Sequence, residues 1–261
     1  MTGPPLDLIH LIWGPLGPPA LARFLDSYRA HTAGTDHRLV VAWSGFGDEP
    51  RGPWDALLAG VEHVSEEISA AGQDLAAYRQ AAAASSARRL CFTNSYSVVL
   101  ADGWLATLAG ALDDPAIGMA GATGSWESTY SAAPLWLKPM RLRAFPSFPN
   151  PHLRTNAFVL DREILLDLDW PDAGLDKQAA LRLENGRRSI SRQISDLGLR
   201  TVVAGRDGRV YGSEEWPASR TFRSGEQDNL LVADNRTEQY HAADPTRRGE
   251  LARFAWGRPV R

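Results

Sequence analysis

Short apolar runs recur along this chain, each closed by glycine, proline or a polar cluster, and stretches of helical spacing separate them. Leu6 to Trp13 is the first such run, ended by Gly14-Pro15 and Gly17-Pro18-Pro19, and reads as a buried strand entering a loop. Leu21, Phe24, Leu25 and Tyr28 then fall on one face of a helix. Leu39 to Trp43 is a second strand, stopped by Ser44-Gly45 and Gly47. Strand, helix, strand predicts a parallel sheet built with right-handed crossovers. The Ala-rich stretch from Asp74 to Arg89 predicts a helix, with Asp74 placed to cap it and Arg88-Arg89 suited to its C-terminal end. It runs into a third strand, Leu90-Cys91-Phe92, which leaves the sheet through the polar turn Thr93-Asn94-Ser95-Tyr96-Ser97. Trp104, Leu105, Leu108 and Leu112 mark another helix, and Ile117 to Gly121 another strand. The expected class is α/β, a mostly parallel sheet flanked by helices, in which ligands bind where loops leave the carboxyl ends of strands.

The pattern fades between Trp126 and Pro151, where proline, aromatic and basic residues predict an excursion over the active face. Phe158-Val159-Leu160 resumes strand character, and Arg162 to Leu168 predicts a short helix. Ile190, Ile194 and Leu197 form one more helical face, closed by Gly198 in the manner of a left-handed cap. Thr201-Val202-Val203 is a last strand. The polar tail from Trp216 keeps Trp216, Phe222, Leu230, Leu231 and Tyr240, so an ordered covering loop is expected there. With 261 residues, 44% of them hydrophobic, one large core fits the length.

A formal charge of -3 with dispersed basic residues argues against a nucleic-acid partner, since phosphate binding needs clustered Lys and Arg. No apolar run is long enough to form a transmembrane segment, and no basic region followed by an apolar stretch opens the chain, so a cytoplasmic protein is expected. The single cysteine, Cys91, lies in an apolar run, where a buried inert thiol is the expectation. Nine tryptophans suit core packing first, and flat faces for sugar rings second.

The order of elements, together with Phe92-Thr93-Asn94-Ser95-Tyr96-Ser97, Gly103-Trp104-Leu105 and Gly118-Met119-Ala120-Gly121, resembles the GT-A glycosyltransferases, family 2 in particular. The resemblance implies a single GT-A-like domain, 1–261. Its nucleotide-sugar-binding half would span 1–125, its acceptor and catalytic half 126–215, and a covering segment 216–261. It also implies a hexosyltransferase-like enzyme that moves a sugar from a nucleotide-diphosphate sugar to a carbohydrate or glycosylated small-molecule acceptor. In that family paired aspartates after the metal strand hold Mg2+ or Mn2+ against the donor diphosphate. Here those positions are Asn94 and Tyr96, so the motif is degenerate: Asn94 keeps a neutral amide oxygen, and Tyr96 offers only a phenol. The literal Asp167-Leu168-Asp169 follows the wrong strand and is set aside.

Without a metal, leaving-group charge must meet cations or oriented donors of the protein. His152, Arg154 and Asn156, ahead of the Phe158 strand, are candidates for that role. The resemblance, in which a C-terminal loop folds over the diphosphate, extends it to the tail, with Arg220 and Arg223 and then Gln227, Asn229, Asp234, Asn235 and Arg236, while for any one arginine a solvated surface charge is the stronger alternative. Trp13, Gly14 and Ser44 match nucleoside-binding positions. Asp74 and Tyr78 would bind and stack on the nucleoside, or else cap a helix and fill the core. Ser95 shares the motif turn. For the base that deprotonates the acceptor hydroxyl, the family pattern points to Glu184, expected at the start of a late helix, with Glu127 second. Thr123, Gly124 and Trp126, beside Glu127, would face the acceptor. Two rival readings stay open: a binding protein that kept the pocket and lost the chemistry, and a sugar-phosphate nucleotidyltransferase, which the absence of a basic residue between Trp13 and Pro19 disfavours.

Overall fold

The computed structural model describes residues 5–47, 50–69, 74–171 and 176–257. The chain begins with β1 (Leu6–Trp13), α1 (Pro18–Ala30) and β2 (Arg38–Ser44), as the apolar runs predict, with Leu21, Phe24 and Leu25 of α1 buried. Two elements follow that the sequence reading did not contain: α2 (Gly52–Leu58) and an edge strand, β3 (Val64–Glu67), whose polar text hides it. Then come α3 (Asp74–Ala84), β4 (Arg89–Thr93), β5 (Val98–Val99), α4 (Trp104–Gly110) and β6 (Ile117–Gly121). Helix α3 stops earlier than expected, and Arg89 already belongs to the strand. Gly72 and Gln73, ahead of α3, lie outside the described residues.

The excursion contains β7 (Gly124–Ser125), the short helix α5 (Lys138–Leu142) and β8 (His152–Leu153), and leads to β9 (Ala157–Asp161) and α6 (Arg162–Asp167). Next stand α7 (Lys177–Asn185), α8 (Ile190–Asp196), β10 (Arg200–Ala204) and β11 (Val210–Tyr211). Gly198, after α8, has φ +77°, the left-handed backbone its position predicts. The tail is more regular than a covering loop: β12 (Val232–Ala233), α9 (Asn235–His241) and α10 (Pro245–Trp256). Asp234 caps α9 in a reciprocal box with Thr237, and Asp244 caps α10 ahead of Pro245.

Eight strands form one sheet in the order β11-β10-β6-β9-β4-β1-β2-β3. Only β9, between β4 and β6, and the edge strand β11 run antiparallel to their neighbours. Because β1 passes to β2 on one side and β4 pairs with it on the other, the carboxyl ends of β1 and β4 bound a topological switch point. Alternate side chains feed two cores. Leu8 and Ile12 of β1 join Phe24 and Trp104 on one face, and Ile9 and Leu11 join Tyr78, Phe92, Phe158, Trp216 and Trp256 on the other. His10 is sealed between β1 and α1, stacked 3.5 Å from the Phe24 ring, and burial drives its imidazole down to about 3. Cys91 is a buried free thiol whose ionisation burial pushes far up. Among the described residues no helix is long and apolar enough to cross a membrane.

Candidate functional site

At the switch point the motif turn is locked to β1. Ser95 Oγ donates to the Leu11 carbonyl at 2.7 Å and accepts from the Trp13 amide at 2.9 Å. Asn94 closes the turn on itself, its Oδ1 accepting from the Tyr96 amide at 3.0 Å and from Ser97 Oγ at 3.3 Å. Its amide nitrogen is left for Asp74, with which the side chain is hydrogen-bonded. Asn94, Tyr96 and Asp74 thereby form one wall of a cavity of about 350 Å3.

Two small ladders build the opposite wall. β7 pairs with β8, Gly124 against Leu153 and Ser125 against His152, which brings Thr123 beside Arg154 and Asn156. Thr123 Oγ1 donates to Asn156 Oδ1 at 2.7 Å, and Asn156 Nδ2 is buried with no partner among the described residues. β12 pairs with β5, immediately after the motif turn, so that Asp234 arrives next to Arg154. Arg154 and Asp234 form a buried ion pair at 2.7 Å with the guanidinium 4.4 Å over the Phe222 ring. Burial opposes ionisation of both partners, yet their mutual attraction holds Asp234 below the usual carboxylate range and Arg154 above its ordinary value.

Helix α7 supplies the third wall. Lys177, Gln178, Leu181 and Glu184 line the cavity from one helical face, joined by Thr155 and, from the start of α9, Asn235 and Arg236. Thr155 Oγ1 donates to Glu184 Oε1 at 3.3 Å. Asp74 faces the same space, and its carboxyl is pushed up to about 6, by shielding from water first and the Glu184 charge second, against the Asn94 hydrogen bond. Lys177 and Arg236 have no carboxylate within ion-pair distance among the described residues. Among the described residues the cavity therefore holds two carboxylates, one neutralised pair and two cations with unspent charge.

Of the residues named from sequence, Asp74, Asn94, Tyr96, Arg154, Asn156, Glu184, Asp234, Asn235 and Arg236 meet in this cavity. Others sit elsewhere. Tyr78 is fully buried between Phe92 and Phe158, so its ring has no face for a base. Ser95 spends its hydroxyl on β1. Trp13, Gly14 and Ser44 stand at the carboxyl edge beside the cavity without lining it; the Trp13 ring lies on Gly45, and a Cβ at Gly14 would meet the Gly45 carbonyl at 3.1 Å. His152 is buried, its Nδ1 donating to the Asn150 carbonyl at 2.8 Å, and burial holds it below the ordinary imidazole range. Thr123 is buried. Gly124 is covered by Trp216, whose ring a Cβ there would meet at 2.5 Å, which leaves no face for an acceptor. Trp126 donates to the Ser213 carbonyl and packs edge-on against Trp256. Glu127 is ion-paired with the buried Arg223, and neither lines the cavity. Arg220 pairs with Asp228 over a separate hollow. Arg220, Arg223 and Gln227 all take positive φ, which strains non-glycine backbone and marks a tightly determined segment. Glu184 lies in the last turn of α7, not at a helix start, so the dipole opposes its charge there. Asp169 of the literal Asp-x-Asp pairs with Arg188, away from the cavity.

Thr155, Lys177 and Gln178 escaped the sequence reading. The signal for the last two was present: Asp176 followed by Lys-Gln-Ala-Ala-Leu is a capped helix start, and the Asp176 carboxylate does accept from the Ala179 amide at 2.7 Å.

A divalent cation on the motif turn does not fit these donors. The Asn94 oxygen already accepts two hydrogen bonds, Tyr96 brings a phenol, and among the described residues no three of His, Cys, Asp or Glu converge.

No protein-family model matches the chain, and no curated protein matches it in sequence. Solved structures match in fold. A mannosyltransferase from Pyrobaculum calidifontis, in complex with GDP-Man and Mn2+, superposes with a TM-score of 0.53 at 17% identity over 84% of this chain. Glucosyl-3-phosphoglycerate synthase from Mycobacterium tuberculosis, in complex with phosphoglyceric acid, gives 0.50 at 14% identity over 77%. The matches cover 60% and 70% of those two chains. The fold is thus GT-A-like.

Proposed function

We propose that the protein is a glycosyltransferase that binds a nucleotide-diphosphate sugar in the cavity at the β1/β4 switch point and passes the sugar to an acceptor hydroxyl. One observation carries the reading: the GT-A turn opens onto a cavity in which, among the described residues, Lys177 and Arg236 have no carboxylate partner and Asn156 Nδ2 has no hydrogen-bond partner. A diphosphate supplies both the charge and the acceptor oxygens that these groups lack.

In this reading Lys177 and Arg236 hold the diphosphate, with Arg154 fixed behind them by Asp234. They meet the charge that builds on the leaving oxygen when the anomeric bond breaks. Glu184, oriented by Thr155, takes the proton of the acceptor hydroxyl as it attacks the anomeric carbon. Glu127 is the weaker base, because its carboxylate is engaged by Arg223. Asp74, its carboxyl raised by its surroundings, serves as a hydrogen-bonding group for the nucleoside or sugar. No step passes through a metal, since the motif turn does not fit one.

A thermal-shift screen of UDP-, dTDP- and GDP-sugars, each with EDTA and with Mn2+, tests the reading. The expected hit raises the melting temperature equally in both conditions and shrinks in Lys177→Ala and Arg236→Ala. A hit that requires Mn2+ would refute the metal-free arrangement. The loss of both family carboxylates also favours a second reading, a sugar-nucleotide-binding protein without turnover; donor binding with neither transfer nor hydrolysis would select it.

A further inference from the structure

Between Glu127 and Asp161 the chain carries no carboxylate, while Lys138, Arg141 and Arg143 fall close together there. In the same stretch Leu135, Trp136 and Met140 are 82%, 75% and 77% exposed, and Leu142 is 50% exposed. These side chains do not belong to a loose loop. The arm that carries them is fastened at its root: Thr129 Oγ1 donates to Asn185 Oδ1 at 3.0 Å, and Arg187 donates to the carbonyls of Ala144 and Leu142. Phe145 is buried behind it. Among the described residues Lys138, Arg141 and Arg143 have no carboxylate at ion-pair distance; instead Lys138 lies over Tyr130 at 5.6 Å and Arg141 over Phe145 at 5.7 Å. A fixed arm therefore holds large apolar tips out into water with uncompensated cations around them.

We propose that this arm is a docking surface for an anionic lipid bilayer. Leu135, Trp136 and Met140 enter the boundary between headgroups and acyl chains, where an indole is well placed, and Lys138, Arg141 and Arg143 meet the lipid phosphates. Charge selects this occupant over a second copy of the chain. A twofold contact through the arm would set its basic residues against the same residues of the other copy, with no carboxylate in the segment to answer them. With the whole chain at -3, attraction to an anionic surface has to come from local basic residues such as those of the arm. Asn185, which receives the root of the arm, follows Glu184 directly, so docking holds that end of α7 near the lipid surface. One short helix and a few cations give reversible attachment that weakens with salt.

The test is flotation of the full chain with phosphatidylcholine vesicles, with and without phosphatidylglycerol, at low and high salt. Wild type should float with the phosphatidylglycerol vesicles at low salt and be released at high salt. Trp136→Ser with Met140→Ser should weaken partitioning by about tenfold or more, and Arg141→Gln with Arg143→Gln should remove most of the preference for the anionic lipid. Both variants should keep the wild-type melting temperature, since the changed side chains are outside the core. Wild type that stays unbound on anionic vesicles at low salt would overturn the proposal, as would a Trp136, Met140 variant that floats like wild type. A dimer in light scattering that this variant dissolves, without vesicle binding, would assign the surface to a second copy and overturn it equally.

Discussion

Arg154→Met probes the framework of the cavity. The Arg154 side chain is 13% exposed and that of Asp234 1%, so removing the guanidinium strands a carboxylate that water barely reaches. Breaking a buried pair from one side costs about 3–5 kcal/mol, because the remaining charge is uncompensated. At roughly 2–4 °C per kcal/mol for a chain of this size, the melting temperature at pH 7 should fall by roughly 6–20 °C. Adding Asp234→Asn should restore much of the loss, since Asn keeps an oxygen for the Arg236 and Thr237 amides while removing the stranded charge. The pH dependence carries a sign. Asp234 is held below its ordinary value in the wild type, so its stabilising share is present above the unfolded carboxylate pKa and is lost as pH falls. Stranded by Arg154→Met, the same buried carboxyl is raised instead, so its protonation relieves the deficit as pH falls from 7 toward about 4, and loss of the wild-type share shrinks it further below about 4. Thermal melts of the two single variants and the double variant across that range measure all of this. A single-variant loss under about 1 kcal/mol, or a double variant no more stable than Arg154→Met, would refute the coupling.

Three further outcomes follow from the same geometry. Glu184→Gln should abolish transfer while keeping donor-induced stabilisation, whereas Glu127→Gln should keep transfer and lower the melting temperature, because Arg223 loses its partner; the reverse pattern in a transfer assay would exchange their roles. Asp74 should titrate near 6 by carboxyl NMR, and Glu184→Gln should lower that midpoint by removing the neighbouring charge. Because its pKa is raised, the fold favours protonated Asp74, so Asp74→Asn should be the more stable protein above about pH 6 and lose that advantage below about pH 4; a constant difference across the range would count against it. Gly124→Ala forces a Cβ into the Trp216 ring and should cost about 1–3 kcal/mol in a melt, with an unchanged melting temperature as the refuting result.

What the sequence made legible tracks how local the cause is. The strands β1, β2, β4, β6, β9 and β10 declare themselves through apolar runs because both faces of the sheet are covered, and a buried parallel strand needs no polar alternation. β3 and α2 stay hidden, since an edge strand reading Val-Ser-Glu-Glu needs little apolar text once β2 supplies its hydrogen bonds. Similarly, the motif turn was readable as a place, because a polar cluster after a buried strand must leave the sheet. Its wiring was not. Whether Asn94 turns its oxygen toward a ligand or back onto Tyr96 and Ser97 depends on hydrogen bonds the turn makes only once Asn156 has arrived from β9's lead-in, more than fifty residues later. The same distance explains two of the arginines. Arg154, Arg220 and Arg223 read alike as text, yet two short ladders, β5 with β12 and β7 with β8, help put Arg154 on Asp234 in the cavity wall and Arg223 on Glu127, while Arg220 pairs within its own segment with Asp228, outside the cavity. Ladders of two residues have almost no sequence signature, because their register is imposed by the elements they join. The residues hardest to place from sequence are thus the charged ones whose partners are chosen by tertiary pairing, and a cavity built to receive a charged ligand consists largely of such residues.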